Sequence, residues 1–245
     1  MAAVDEAGVV AGRQLYLNIR PRDDATFDNY VVQSRAVAVR AAIDAPRERM
    51  VFVHGPGDGG KSHLLQAACH AADGAAVYLP LGAVAELPPA ALLEGIECVD
   101  LVCLDDLQAV LGDSVWERAL FNLYNGAQRS RARLLISANA PPDALAAALP
   151  DLRSRLAAML VCAMPAPDET DRLEILVARA GRRGLSMSAE VARYISHRAG
   201  RSLSDLMRVL EELDTASLTH RRALSIPFVR EVMAWPAREQ SAQAR

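Results

Sequence analysis

The sequence predicts an α/β fold: a parallel five-stranded sheet flanked by helices, followed by a small all-α domain. Three observations predict it. Short runs, apolar nearly throughout, occur at Met50–Val53, Ala75–Leu81, Val99–Leu104, Leu134–Ala138 and Met159–Ala163, as expected of strands buried on both faces. Helical patterns lie between them, and strands alternating with helices imply parallel pairing. Beyond Met164-Pro165-Ala166-Pro167, where two prolines make a joint, no strand pattern remains.

Taken in order, residues 1–25 read as a flexible segment with one apolar island at Leu15, Leu17 and Ile19. Residues 34–45 read as a helix rich in alanine and valine. Between the third and fourth runs, Ser114–Gln128 places Trp116, Leu120, Leu123, Tyr124 and Ala127 on one helical face. After the joint, helices are expected at Asp168–Arg182, ended by Gly184, and at Ser188–Arg198, ended by Gly200. Ser202–Thr219 is the clearest, with Leu203, Leu206, Met207, Leu210 and Leu213 in one stripe and Ser202 as its N-cap. Pro227 opens a last short helix. The expected division is a flexible segment at 1–25, an α/β domain at 26–164, a helical domain at 165–236 and a disordered tail at 237–245.

Bulk properties bound the function. Of 245 residues, 51% are hydrophobic, which suffices for a core domain plus a small second one. Aromatics are only 4%, so alanine and leucine carry the burial and favour helices. A net charge of -3 gives no global pull toward nucleic acid or anionic membrane. No apolar run is long enough to span a bilayer. The N-terminus carries Asp5 and Glu6 and lacks the pattern of a signal peptide, so a cytoplasmic protein is expected. Cys69, Cys98, Cys103 and Cys162 form no C-x-x-C pair and read as buried small hydrophobes.

The strongest motif is Gly55-Pro56-Gly57-Asp58-Gly59-Gly60-Lys61-Ser62, a full G-x-x-x-x-G-K-[ST] phosphate loop. Its glycines let backbone N–H groups curl around phosphate oxygens. Lys61 would neutralise the β- and γ-phosphates, Ser62 would ligate Mg²⁺, and the helix beginning there aims its positive end at the anion. Asp58 is an oddity, an acid beside bound phosphates. It either points outward or weakens triphosphate affinity. A second motif, Leu101-Val102-Cys103-Leu104-Asp105-Asp106, puts acids at the tip of a buried strand. Asp105 would hold the magnesium shell and Asp106 would polarise water. Asn139, closing Leu134–Asn139, either positions water between these motifs or is a turn residue. Arg155, in Leu152-Arg153-Ser154-Arg155-Leu156, is either a surface arginine or a finger reaching a neighbour's γ-phosphate.

These four motifs in this order resemble an AAA+ ATPase. Thr26-Phe27-Asp28-Asn29-Tyr30-Val31-Val32, Lys61-Ser62-His63-Leu64-Leu65-Gln66-Ala67, Asp105-Asp106 and Pro150–Leu156 resemble DnaA-type replication initiators more closely, over roughly Thr26 to Trp235. The sequence ends soon after Trp235, so the initiators' helix-turn-helix domain is expected to be absent. Gln14-Leu15-Tyr16-Leu17-Asn18-Ile19 is similar to a peptide that binds the replicase sliding clamp, and Ile226–Glu231 is similar to the closing stretch of the same family. The chain is therefore identified as resembling the Hda family, the regulatory inactivators of DnaA. As a bare peptide, Gln14 would hydrogen-bond at a pocket rim while Leu17 and Ile19 fill an apolar groove.

The resemblance implies ADP or ATP held with Mg²⁺ by Gly55 to Ser62 and His63, with Phe27, Tyr30 and Val31 lining the adenine pocket. It implies a DnaA partner, DNA contacted only through the clamp, Arg155 acting in trans and little or no ATPase activity of the chain's own. A homo-oligomer is allowed. One departure is expected. The family's lid arginine aligns with Ser204, with Arg201 and Arg208 each about one turn away, so either substitutes or the contact is lost. Two other readings are a single-strand DNA-binding helicase loader or accessory initiator, and a self-standing ATPase. The -3 charge and the lack of a basic-aromatic stretch argue against the former.

Overall fold

The computed structural model describes residues 25–31, 33–45, 47–200 and 202–236. The clamp-like peptide with Gln14, Leu15, Leu17 and Ile19 lies outside the described residues, as does Arg201.

A helix α1 (Gln33–Asp44) precedes strand β1 (Met50–His54). Helix α2 (Lys61–His70), strand β2 (Ala76–Pro80), and two short helices α3 (Leu81–Val84) and α4 (Pro89–Leu93) follow. Then come β3 (Leu101–Asp105), α5 (Ser114–Ser130), β4 (Arg133–Ala138), α6 (Pro150–Ala157) and β5 (Leu160–Ala163). The strands form one parallel sheet in the order β2-β3-β4-β1-β5.

The alternation of side chains along a strand sorts this sheet into two cores. On one face Phe52, Val102, Leu104, Leu134 and Ile136 meet Trp116, Leu120, Leu123 and Tyr124 of α5, with α3, α4 and α6 beside them. On the other, Val51, Val53, Cys103 and Leu135 meet Val39 and Ile43 of α1 and Leu64 and Leu65 of α2. The expectation of strands buried on both faces holds for the inner strands β3 and β4, and for the centre of β1. It fails at the edges: β5 leaves Leu160 and Val161 exposed, and β2 is only partly covered, because an edge strand has a neighbour on one side only. The cysteine expectation needs one correction. Cys103 is buried and Cys69 and Cys162 are half-buried, but Cys98 is exposed, and all four are free thiols.

Past the proline joint, α7 (Glu169–Arg182), α8 (Ala189–Ser196), α9 (Leu203–His220) and α10 (Ile226–Val232) share a third core. Leu176, Ile195, Leu206, Leu210, Leu213 and Phe228 are among its fully buried members. Each helix begins at a side-chain cap. Asp168 forms a capping box with Asp171, and the hydroxyls of Ser188, Ser202 and Ser225 accept the N–H of Val191, Asp205 and Phe228. Among the described residues, no helix is long and apolar enough to cross a membrane.

Candidate nucleotide-binding site

The site forms at the carboxyl ends of β1, β3 and β4, where a doubly covered parallel sheet opens a crevice. Gly55 leaves β1 with its N–H bonded to the Ala138 carbonyl of β4 at 3.2 Å. A Cβ at Gly55 would stand 2.1 Å from the Met164 carbonyl oxygen, so only glycine lets the two backbones pass. Gly57–Gly59 then make a single 3₁₀ turn, and Gly60, at φ +84°, caps α2. The ring of Tyr30 closes over that corner. A Cβ on Gly60 would meet it at 2.9 Å, and its hydroxyl donates to the Gly59 carbonyl at 3.1 Å.

Lys61 opens α2 and is 3% exposed, with its ammonium donating to the Gly55 and Pro56 carbonyls at 2.8 Å each. Burial lowers its pKa below the ordinary lysine value, against the opposing pull of Asp106, Asp105 and Asp58. Ser62 follows in the same turn, half-buried.

Asp105 ends β3 and is 2% exposed. One carboxylate oxygen accepts the Tyr78 hydroxyl at 2.7 Å and the other accepts the Ser137 hydroxyl. Ser137 also accepts the Asp106 N–H at 3.0 Å. Burial and the neighbouring Asp105 together push the Tyr78 phenol far up, so it stays a donor. Asp106 turns out of the strand at φ +59°, and its carboxylate accepts from Gln108 Nε2 at 3.0 Å. Asn139 sits just beyond β4, exposed, its N–H donating to Gln108 Oε1 at 3.0 Å. The groups that hold Asp105 are thus Ser137 and Tyr78, which sequence reasoning missed. The available hint was a polar residue inside each otherwise apolar strand. Pairing of Leu104 with Ile136 then brings Asp105 beside Ser137.

A cleft beside the loop has an apolar wall of Tyr30, Val31, Pro167, Ile175 and Leu203 and a polar side that includes Asn29, Asp58, His63 and Arg179, reaching from the segment before α1 to α7 and α9. Phe27 departs from expectation. It is absent from this cleft and packs in the α1–α2 core with the Arg40 guanidinium 3.6 Å from its ring centroid. His63 Nε2 lies 2.8 Å from the Thr26 carbonyl and its Nδ1 lies 3.1 Å from an Arg179 nitrogen. Arginine can only donate, so Nδ1 accepts and Nε2 carries the proton.

Asp58 neither points outward nor stands alone. Its carboxylate accepts the Leu203 N–H at 2.8 Å and the Ser204 hydroxyl at 3.2 Å, tying the loop to α9. Arg208 is exposed and ion-paired within its own helix to Asp205 at 3.7 Å and Glu212 at 3.5 Å.

Arg155 stands exposed on α6, its guanidinium 5.8 Å from the Tyr124 ring centroid. Its helix is anchored by a group the sequence did not mark. Glu117 of α5 is 1% exposed and accepts the N–H of Gly112, Ala148 and Leu149 at 2.8, 2.9 and 2.6 Å. Leu149 is the residue from which α6 starts. Burial pushes the Glu117 carboxyl up, but the three backbone donors outweigh it and leave the group below the ordinary glutamate value.

Residues 168–233 match the family model described as Hda, lid domain. The fold is similar to domain III of the Thermotoga maritima replication initiation protein DnaA, at a TM-score of 0.74 and 21% identity, covering 88% of this chain and 98% of that one. AMPPCP-bound DnaA from Aquifex aeolicus gives 0.64 and 20%, over 78% of this chain and 65% of that one. The Thermotoga maritima RuvB Holliday junction branch migration motor gives 0.60 and 15%, over 86% and 71%. Residues 168–233 are thus similar to the lid domain of the Hda family, and the five-stranded sheet with its phosphate loop shares the fold of DnaA domain III and of RuvB.

Proposed function

We propose that the chain is a negative regulator of replication initiation that holds an adenine nucleotide for its shape and, with the DNA-loaded sliding clamp, drives hydrolysis of ATP bound to DnaA. The observation that carries this reading is the exposed Arg155, stacked near Tyr124 on a helix anchored by Glu117. A rigidly based, solvent-facing guanidinium is what an arginine finger in trans requires. The Hda lid match points to the same class of partner.

The loop fits a nucleotide. Gly55 and Gly60 leave no room for a side chain, and the Lys61 ammonium is buried at the loop's centre. Gly55 to Ser62 would hold the phosphates, while Tyr30, Val31 and the apolar cleft would hold the base. Among the described residues no group of three or more His, Cys, Asp and Glu could hold a metal ion. Ser62 and Asp105 would therefore hold Mg²⁺ together with phosphate oxygens, where the ion supplies charge neutralisation. Gln14, Leu15, Leu17 and Ile19 would tether the chain to the clamp.

A second reading, a self-standing ATPase, is favoured by the intact Lys61 and the paired acids Asp105 and Asp106. One experiment separates the two. DnaA loaded with labelled ATP is incubated with this chain and clamp-loaded DNA, alongside Arg155→Ala and Gln14→Ala. Hydrolysis needing the chain, the clamp and both side chains is expected. No acceleration by a folded, nucleotide-bound chain would remove the regulatory reading.

A further inference from the structure

We propose that Asp58 is a built-in anion that latches helix α9 onto the phosphate loop, so that the posture of the lid is set by the chain itself and not by the terminal phosphate of a nucleotide. The proposal rests on the nucleotide-site reading above and concerns how that site is closed.

An acid in the middle of a phosphate-binding loop repels the anion the loop is shaped for, unless the carboxylate has other work. Here it has two partners, both far along the chain. The Leu203 N–H donates to one oxygen at 2.8 Å and the Ser204 hydroxyl to the other at 3.2 Å. Leu203 is the first residue of α9, where the backbone N–H groups have no acceptor inside the helix. The helix's own cap, Ser202, accepts the N–H of Asp205 at 3.0 Å and leaves that of Leu203 free for a carboxylate from elsewhere. The negative charge also lies at the positive end of an 18-residue helix. The first turn of α9 thus offers its donors inward to Asp58.

Two features show that the latch is part of a continuous seam. Arg179 of α7 donates to His63 of α2, and Arg182 of α7 donates to the Asn29 carbonyl at 2.7 Å. Both join the helical bundle directly to the residues around the loop. One turn further along α9, Arg208 lines the cavity that Gly57, Asp58, Gly60 and Ser62 also line, but its guanidinium is engaged by Asp205 and Glu212 of its own helix. Among the described residues of α9, the groups nearest the loop already have a carboxylate to bind. Closure through Asp58 therefore needs no nucleotide.

Amide spectra and hydrogen exchange of the full chain test this, with nucleotide removed, with ADP and with a non-hydrolysable ATP analogue. Exchange at Leu203 and Ser204, and the lid's orientation from residual dipolar couplings, should be alike in all three states. Asp58→Ala should speed exchange at Leu203 roughly tenfold, while amides at Leu210 and Leu213 inside α9 keep their rates and report an intact helix. Asp58→Asn, which keeps one acceptor oxygen, should fall between. Equal Leu203 exchange in the wild type and Asp58→Ala would overturn the latch, as would a lid that reorients when the third phosphate is added to the wild type. The nucleotide-free arm reads the latch even if the chain binds no nucleotide, so failure of the site reading and failure of the latch are told apart.

Discussion

The phosphate loop and helix α6 treat their charges in opposite ways. At the loop the ionic groups face inward and are held by the chain: Lys61 by two carbonyls, Asp105 by Tyr78 and Ser137, Asp58 by α9. On α6 it is the support that is buried, in Glu117, while Arg155 faces solvent over Tyr124. A charge held by its own chain is suited to binding and shape. A charge presented on a rigid base is suited to meeting another molecule. On the proposed function, the difference separates a site that would hold the chain's own nucleotide from a surface that would act on a partner's.

The largest expected effect sharpens the first half of that contrast. Lys61→Ala removes the buried ammonium at the loop and should weaken ADP and ATP binding by about a thousandfold, measured by calorimetry. The fold should persist, because the Lys61 ammonium donates its hydrogen bonds to loop carbonyls. Retained affinity would mean that the loop is not the nucleotide site.

Glu117→Gln tests the second half. It replaces a buried carboxylate serving three N–H donors and should cost about 3 kcal/mol of stability, read by denaturant unfolding. The folded pKa lies below the ordinary glutamate value. The stabilisation is therefore fully present above that value and is lost as pH falls through the lower, folded one. The gap between wild type and variant should be flat near neutrality and should narrow only in acid. A gap that widened in acid would contradict the assignment.

Tyr78→Phe should have the smallest effect, about 1 kcal/mol, because it removes one hydrogen bond to Asp105 and leaves Ser137 in place. A loss as large as that of Glu117→Gln would mean that Tyr78 carries more of the site than its bond to Asp105 suggests.

How much of this was legible depended on whether the determinant was local. The phosphate loop and the acids at the tip of β3 are contiguous strings whose chemistry restricts the residue types, and they fall where the sequence puts them. The sheet was legible through its apolar runs, but not the exposure of β5, since edge position is a property of strand order and not of the run itself. The short helices α3 and α4 were missed because 4 and 5 residues carry too little periodicity to read. The resemblance places Phe27 at the base pocket, while the structure packs its ring in the core formed with α1 and α2. Asn139 drew attention at the end of β4, whereas Ser137, two residues earlier, touches both Asp105 and Asp106. The Asp58 tie to Leu203 spans 145 residues, and no window along the chain contains both ends. Its only trace in the sequence was an acid where phosphate should bind.

The most direct test of the central claim follows where hydrolysis occurs. Two mixtures of this chain, DnaA and clamp-loaded DNA are prepared, one with labelled ATP on DnaA and one with labelled ATP on this chain, each with wild type and Arg155→Ala. The account predicts rapid release of phosphate only from label on DnaA, reduced on the order of a thousandfold by Arg155→Ala, with the variant's fold and nucleotide affinity unchanged. Release from label on this chain, insensitive to Arg155, would contradict it and assign the chemistry to the chain's own loop.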